Sequence, residues 1–372
     1  MQQVGSDGAA PARGGAREGA GTGVERPVVA VDANGADLGP AEVAAGAALA
    51  AEQGARVLLF GPAAELEPAP PGVEVVDAPV SIAKAADPVS AARKQTDASI
   101  VQAARAVADG RASALVCAGG TGAALAAGMF NIRRARGIYR PALALPLPVP
   151  GSPVTLLDVG ASADARREHL VQFAFMGAAL VHIVLGIELP RVGLLSNGEE
   201  AGRGSELVLG AHAELAERAA QGIDSFEFVG NVEGDAVVGG VADVVVADGF
   251  TGNIALKLME GVSQVMLGAI REAAMSTPRA KAGGLLLRPA LRAFRDEIDP
   301  EGPGGAYLLG LRRLGVVPHG RFTRRGFAQA IMRAELGARA DVVGQTHLAL
   351  ERAGALKRSP VSAADASLPG TA

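Results

Sequence analysis

The segment from Val244 to Gly261, VVVADGFTGNIALKLMEG, combines an acid, an amide and an ammonium group around one strand-to-helix junction. Its first residues predict a short buried strand, and the apolar residues after Asn253 recur about every four positions, as on one face of a helix. The glycines between them let a ligand approach the backbone N–H groups at the positive end of that helix. Asn253 and Lys257 lie one turn apart, so both can face the loop. The spacing therefore predicts an anion site, although a lysine on an amphipathic helix is also an ordinary surface feature.

Two further glycine loops carry side chains that could hold an anion. Thr121 lies between glycines at an expected helix start, where its hydroxyl and backbone N–H can meet an oxyanion or simply cap the helix. Arg203 lies in the loop SNGEEAGRG, beside Glu199 and Glu200. An arginine next to carboxylates is usually a solvated ion pair, whereas an arginine that faces a cleft can form a phosphate fork. The sequence leaves both choices open.

Acids, a histidine and a cysteine follow other apolar runs. Asp32 and Asp37 flank an Asn-Gly dipeptide and could orient a water or a metal, but their spacing favours capping of the next helix and a turn, and no third acid completes a metal shell. His319 is a candidate acid for which the sequence shows no partner. Cys117 is expected to be a buried structural thiol rather than a nucleophile. Neither a P-loop nor a GxGxxG motif is present, so nucleotide binding is not expected.

The elements that must position these residues alternate between strand and helix along the chain. Repeated strand–loop–helix units with apolar strands predict an α/β fold with a mostly parallel sheet, covered by helices on both faces. In such sheets ligands gather at the carboxyl ends of the strands. The chain contains six such units, and the loops of five of them carry Asp, Thr, Asn, Ser or Glu beside glycine. We therefore expect these loops to share one polar cleft.

Composition narrows the class of protein. Of 372 residues, 49% are hydrophobic and 20% are charged, which is typical of a globular chain. The net charge of −4 and the pI of about 5.8 argue against general nucleic-acid binding. The single cysteine excludes an internal disulfide, and no uninterrupted apolar run reaches membrane-spanning length. Residues 1–26 and 358–372 are expected to be disordered around one domain at 27–357.

Two kinds of surface segment suggest partners. The stretches RKQTDAS (93–99) and NIRRARGIYRP (131–141) are basic on an acidic chain, which indicates an acidic partner or a phosphate-bearing substrate, or only a soluble surface. The segment AKAGGLLLRPALRAF (280–294) lies in a predicted helical hairpin at about 254–297. Its leucines among arginines predict an apolar tip that contacts anionic lipid, with a packed helical hairpin as the alternative.

Several motifs occur in one order between about Pro27 and Ala334: VDANGAD, CAGGTGA, GIYRPALA, LLDVGAS, HLVQFAFMG, PRVGLLSNGEE, FVGNVEG, ADVVVADGFTGNIALKLMEG, GGAYLLG and PHG. In this order they resemble the phosphate acyltransferases of bacterial phospholipid synthesis, the PlsX family. The resemblance implies a three-layer α/β/α fold, similar to phosphotransacetylases and isopropylmalate dehydrogenases, in a homodimer. It also implies transfer of a fatty acyl group from acyl carrier protein to inorganic phosphate, without cofactor or metal. The acyl phosphate would feed a membrane glycerol-3-phosphate acyltransferase of the PlsY type.

This hypothesis assigns roles to the residues singled out above. Catalysis is assigned to Asn253, Arg203 and Lys257, and phosphate binding to Thr121, Gly122, Thr251, Gly252, Asp32 and Asp248. Docking of the carrier protein is assigned to Arg93, Lys94, Arg133, Arg134 and Arg136, and membrane contact to Leu285, Leu286, Leu287, Leu291 and Phe294. The expected location is the cytoplasm, peripherally on the inner face of the cell membrane.

The chain departs from the family pattern at a few cleft motifs. Asn34 and Ala36 replace the usual residues of DAMGGD, Gly120 replaces an asparagine, Ser162 replaces another, and Arg203 stands where a lysine is usual. The lost amides put substrate preference and activity in doubt. Two alternatives therefore remain: a phosphotransacetylase-like enzyme that uses acyl-CoA, and an inactive scaffold between acyl carrier protein and the membrane acyltransferase.

Overall fold

A computed structural model describes residues 26–151, 153–222 and 225–357. The predicted disordered segments 1–26 and 358–372 lie outside the described residues, apart from Arg26. The strands are β1 Val28–Asp32, β2 Arg56–Gly61, β3 Val73–Asp77, β4 Ala114–Cys117, β5 Ala142–Leu147, β6 Val154–Leu157, β7 Arg191–Leu195, β8 Glu227–Val232, β9 Val244–Val246, β10 Ala306–Leu309 and β11 Leu314–Val317.

Helices connect most of these strands. They are α1 Pro40–Glu52, α2 Ala63–Leu66, α3 Pro88–Lys94, α4 Ser99–Ala108, α5 Thr121–Ala127, α6 Arg167–Leu185, α7 Glu206–Ala220, α8 Gly249–Met275, α9 Pro278–Glu297, α10 Arg324–Arg339 and α11 Val342–Arg352. A π-helical turn, Gly128–Ile132, continues α5, and a 3₁₀ turn, Ala236–Val238, precedes β9. Helix α1 begins at Pro40, a residue that is favoured in a first helical turn.

The strands of the described chain form one 11-stranded sheet, in the order β3-β2-β1-β4-β11-β10-β5-β6-β9-β7-β8. Most neighbours are parallel, as predicted, but β10 is antiparallel to both β11 and β5, and β5 is antiparallel to β6. These reversals leave β6, β9, β7 and β8 running opposite to β1 to β4 and β11. The sheet therefore has two halves whose carboxyl ends lie at opposite edges.

Helices cover the sheet on both faces, which confirms the predicted three layers. One apolar cluster joins the sheet to α1, α6, α7, α10 and α11, and a second joins the other face to α3, α4 and α5. Helix α6 is long and apolar enough to cross a membrane, but 67% of its apolar window is buried. It is the central helix of the first cluster.

The helical hairpin of α8 and α9 stands apart from this core. Helix α8 buries only Gly249 and Gly252 at its base, and α9 buries none of its residues. The hairpin therefore depends on a close fit at its base, where a Cβ atom on Gly252 would lie 1.9 Å from the carbonyl oxygen of Asp158.

We expect Gly252→Ala to lower the free energy of unfolding by about 1–3 kcal/mol, because the added methyl group forces α8 away from the turn after β6. Gly261 in the same helix has no atom within 4 Å of such a Cβ. Gly261→Ala is thus the matched control and should stabilise the helix by about 0.5–1 kcal/mol. Denaturant unfolding measures both variants, and equal effects would contradict the close fit at Gly252.

Candidate functional site

A cleft of about 810 Å³ lies between the two halves of the sheet, above β5, β10 and the end of β11. Loops from both halves line it. Several of the predicted loops therefore share a cleft, but they do not lie along one sheet edge as the sequence had suggested, and the loop with Arg203 is not among them. The loops after β1, β4 and β11 supply Gly35, Asp37, Gly119, Thr121, Gly122, His319, Gly320 and Arg321; the loop before α3 supplies Ala83 and Lys84; the segment after β6 supplies Val159, Gly160 and Ala163; and α8 supplies Gly249, Phe250, Asn253, Leu256, Lys257, Glu260 and Gln264.

The loop after β4 brings the start of α5 to the cleft. Gly119 has a φ of +96°, and a Cβ atom there would lie 2.7 Å from the carbonyl oxygen of Gly35, so only glycine fits. Helix α5 begins at Thr121 and has no side-chain cap. Thr121 and Gly122 therefore offer a hydroxyl and first-turn N–H groups to the cleft, as predicted.

The start of α8 differs from the prediction. Asp248 caps the helix: its Oδ1 accepts the N–H groups of Phe250 at 3.0 Å and Thr251 at 2.9 Å, and its Oδ2 accepts the Thr251 hydroxyl at 2.7 Å. The N–H of Gly249 bonds to the carbonyl of Ser162. The protein itself therefore satisfies the N–H groups that an anion would need. Asp248 and Thr251 do not line the cleft. Their placement therefore does not support phosphate binding, which stays a prediction.

Helix α8 instead contributes side chains. Asn253 and Lys257 both line the cleft, so the two residues, one helical turn apart, lie on the same side of α8 as predicted. The Lys257 ammonium lies 2.8 Å from Glu260, and its side chain remains 49% exposed. Gly252 does not reach the cleft, because it is buried against Asp158.

A buried carboxylate shapes the wall opposite Asn253. Asp158 Oδ1 accepts the N–H groups of Leu143, Gly160 and Ala161 at 2.9–3.1 Å. Burial raises the pKa of this carboxyl group, and its Oδ2 has no hydrogen-bond partner. The motif LLDVGAS contains Asp158, but nothing in the sequence marks the residue as the centre of a turn. Its position holds Gly160 beside Asn253.

Asp32 is also buried, so its placement does not support the predicted phosphate binding, which stays a prediction. It is 1% exposed, and its Oδ1 accepts the Ser99 hydroxyl at 2.6 Å and the N–H of Asn34 at 3.1 Å. The Cys117 thiol lies 3.7 Å from Oδ2 and is buried, as predicted. Burial raises the pKa of Asp32 to about 6. The turn role is confirmed, but the cap of α1 is Gly39, without any side-chain bond, so the capping role is wrong.

The cations that surround His319 in the cleft include two, Lys84 and Arg321, to which the sequence assigned no role. Lys84, Lys257 and Arg321 all line the cleft with this histidine. Partial burial and then the Lys257 ammonium lower the His319 pKa. The Nδ1 atom accepts the N–H of Arg321 at 3.2 Å, which places the proton of the neutral ring on Nε2. Lys84 lies in SIAKAAD, a stretch without any motif, so only the fold reveals it.

Arg203 does not line the cleft. Its guanidinium lies 3.5 Å from Glu200, with both side chains more than half exposed, which is the surface ion pair of the two alternatives. Asn231 holds this loop by donating to the carbonyls of Glu200 and Arg203. The placement of Arg203 therefore does not support a catalytic role for this residue, and that role stays a prediction.

The departures from the family pattern lie in the walls rather than at the centre. Asn34 donates its amide to Ala78 and Ser99, and the Ser162 hydroxyl donates to Pro141 at 3.4 Å. A Cβ atom on Gly120 would lie 3.1 Å from Ala83. Asn34 also lines a second cavity of about 540 Å³ that shares Gly35, Ala83 and Lys84 with the cleft.

The two basic stretches form one surface, which we term the basic patch. It contains Arg93, Lys94, Arg133, Arg134 and Arg136, all exposed. The Arg93 guanidinium lies 4.6 Å from the centre of the ring of Phe130, which precedes Arg133 by three residues. Arg312, far away in sequence, joins them by donating its N–H to the carbonyl of Arg133 at 3.0 Å.

The predicted membrane residues are all exposed on α9. Their exposed fractions are 67% for Leu285, 83% for Leu286, 58% for Leu287, 39% for Leu291 and 44% for Phe294. Helix α8 exposes a second apolar set that includes Ile254, Leu258, Val262 and Val265. Neither set packs as a hairpin core within the described chain.

Comparisons with known proteins identify a matching family and similar sequences. The sequence model of the family described as "Fatty acid synthesis protein" matches residues 28–345. A phosphate acyltransferase of Thermobifida fusca is 46% identical over 204 residues, and one of Magnetococcus marinus is 44% identical over 202 residues. These matches cover 55% and 54% of the chain and 56% and 58% of the relatives, so the chain spans little more than half of their length.

A solved structure supports the fold alone. A phosphotransacetylase from Streptococcus pyogenes superposes with a TM-score of 0.56 at 16% sequence identity, covering 85% of this chain and 94% of that one. This confirms the expected likeness to the phosphotransacetylase fold. Within the described ranges, no three His, Cys, Asp or Glu side chains group as they would around a metal ion.

The raised pKa of Asp32 predicts a pH-dependent stability. The folded protein holds this proton more tightly than the unfolded chain, so its contribution is complete below the ordinary pKa of 3.8 and is lost as pH rises through about 6. The loss amounts to at most about 3 kcal/mol. We expect Asp32→Asn to remove it, so that stability relative to wild type improves from pH 4 to pH 7. Denaturant unfolding at both values tests this, and an equally large change in the exposed control Asp109→Asn would contradict it.

Proposed function

The chain belongs to the fatty acid synthesis protein family, which its phosphate acyltransferase relatives share, and from this premise we propose that it transfers a fatty acyl group to inorganic phosphate. The donor is the thioester of an acyl carrier protein, and the products are an acyl phosphate and the free carrier thiol. The observation that carries the proposal is a single cleft in which cations and neutral donors lie beside an apolar floor.

The lining of the cleft supports direct attack by phosphate. No serine or cysteine occurs among the described residues that line it, so the cleft offers neither of the usual acyl-enzyme nucleophiles. Phosphate is already anionic at neutral pH and needs orientation against the carbonyl carbon more than activation. Lys84, Lys257 and Arg321 supply positive charge for its oxygens.

The reaction then needs hydrogen-bond donors for one oxyanion and a thiol that leaves readily. A phosphate oxygen forms a bond to the thioester carbon, and the carbonyl oxygen becomes negative. The Asn253 amide, the Thr121 hydroxyl and the Nε2–H of neutral His319 are the donors that face the cleft; one such donor is typically worth about 3 kcal/mol. The C–S bond then breaks, and the thiolate leaves readily because its pKa is only about 8.5.

The basic patch fits the carrier protein, which is acidic. α5 and the π-helical turn lead from Thr121 at the cleft to Arg133 at the patch, about 15–18 Å at the helical rise per residue. A flexible thioester arm can bridge that distance. This supports docking of the carrier on Arg93, Lys94, Arg133, Arg134 and Arg136.

The helical hairpin fits a membrane surface and a second copy of the chain. Residues 278–295 of α9 contain five basic and no acidic side chains around the exposed leucines, a composition suited to anionic lipid.

The apolar set of α8 is the natural contact for the same helix of a second copy, giving a homodimer. We place the protein in the cytoplasm on the inner face of the membrane, where a PlsY-type acyltransferase would receive the acyl phosphate.

The activity is tested by incubating the purified protein with palmitoyl-carrier protein and phosphate and trapping acyl phosphate with hydroxylamine. We expect phosphate-dependent product. Palmitoyl-CoA in place of the carrier tests the phosphotransacetylase alternative. Absence of product, with carrier binding intact, would overturn the proposal in favour of the scaffold.

Asn253→Ala and Thr121→Ala should each lower kcat by on the order of 100-fold, because each removes a donor from the cleft. Arg203→Ala, outside the cleft, is the comparison and should keep the wild-type rate. Circular dichroism confirms folding of each variant. An equal loss in Arg203→Ala would bring its loop back into the site, and wild-type rates in the first two would remove those residues from it.

Leu286→Glu should weaken flotation with anionic liposomes while leaving the rate in solution unchanged. Leu348→Glu is the control, because Leu348 is 44% exposed on α11, away from the hairpin. If both variants float like wild type, the α9 leucines do not contact the membrane.

A further inference from the structure

One side of the cleft is lined by apolar residues of α5, β5 and α8. Leu125 of α5, Leu145 of β5 and Leu256 of α8 line it, and each is only partly buried. Leu143 and Val159 form its floor and are buried. Three large apolar side chains from separate elements are thus held partly out of water around one open space.

Beyond the residues that line the cleft, each helix carries a further apolar side chain that packs against the same cluster. Met129 follows Leu125 by four residues, and Met259 follows Leu256 by three, so each extends the same helix face by one turn. Both methionines are partly buried and pack against the same core cluster as the leucines. We call the space bounded by Leu125, Met129, Leu145, Leu256 and Met259 the α5–α8 furrow.

The chemistry of the furrow favours one of the two parts of a carrier-bound thioester, the acyl chain over the arm of the carrier. Its five side chains offer no hydrogen-bonding group apart from the weak acceptor sulfur of methionine. The arm of the carrier contains amide groups, which are costly to bury without partners. A hydrocarbon chain loses nothing in such surroundings and gains from the removal of its surface from water. Methionine side chains, which are flexible, can adjust to the end of a chain.

We propose that the α5–α8 furrow binds the acyl chain of the substrate and that Met129 and Met259, at its outer end, set the preferred chain length. The inference rests on the proposed function and adds the site of its acyl group. It places that site within one chain, continuous with the donors at Thr121 and Asn253.

The test compares Met259→Trp and Met129→Trp with wild type on carrier thioesters from eight to sixteen carbons. Each methylene that the larger side chain excludes should cost about fourfold in kcat/KM, so loss of three or four methylenes lowers the sixteen-carbon rate by on the order of 100-fold relative to the eight-carbon rate. Leu348→Trp, on exposed α11, is the matched control and should keep the wild-type profile.

Two outcomes of this comparison overturn the proposal. An equal loss at every chain length would assign the furrow to the carrier arm, which all the substrates share. An unchanged profile in both methionine variants would place the acyl chain elsewhere. Thermal unfolding of each variant separates a folding defect from a change in preference.

A binding measurement keeps the inference separate from the proposed reaction. The fluorescent fatty acid cis-parinaric acid reports entry into an apolar site and needs no catalysis. We expect wild type to bind it and Met259→Trp to bind it at least 10-fold more weakly, with Leu348→Trp unchanged. If the protein binds the probe in this way but makes no acyl phosphate, the reaction is wrong and the furrow stands. If it makes acyl phosphate but the three proteins bind the probe equally, the furrow is wrong.

Discussion

The reversal of strand direction in the middle of the sheet is the constraint on which the site depends. β10 and β5 alternate in direction between β11 and β6, so the two parallel halves point to opposite edges. A single parallel sheet would line up every loop along one edge. Here the loops after β4 and β11 meet the loop after β6 and the start of α8 across the sheet's middle. The cleft is therefore enclosed by both halves and floored by apolar strand residues.

Three aspartates, of which the sequence suggested only Asp32 and Asp248 as ligands, instead form hydrogen bonds that stabilise the elements around this cleft. Asp248 caps α8, Asp158 fixes the turn beside Gly160, and Asp32 gathers Ser99 and Asn34. Each carboxylate accepts backbone N–H or hydroxyl hydrogens, and for the buried Asp32 and Asp158 these bonds satisfy groups that would be costly to leave without a partner. The proposed anion site therefore depends on neutral donors and on the cations Lys84, Lys257 and Arg321, which share the cleft with the carboxylates of Asp37 and Glu260.

The helical hairpin, unlike the aspartates around the cleft, has few contacts with the rest of the chain. α8 and α9 are well-formed helices with large apolar side chains, yet a single chain covers almost none of them. The fixed point is the base, where Gly252 packs on Asp158 and Asp248 caps the first turn. One face of α8 then passes over the cleft with Asn253 and Lys257. The same helix thus links the proposed chemistry to the surfaces proposed for lipid and for a second copy.

The sequence by itself determined the α/β class, the units from β1 to α8 that carry glycine loops, and the cleft positions of Thr121, Asn253 and Lys257. It could do so because buried strands, helix periodicity and glycine turns are local signals. It did not predict the short strands β3, β5, β8 and β10, or the position of Lys84, because these depend on neighbours far away in the chain. Only the tertiary structure decided which edge each loop occupies, and hence that Arg203 lies outside the cleft while His319 lies inside it. Whether a carboxylate such as Asp32 faces a ligand or a buried hydroxyl is set by packing, which local spacing does not contain.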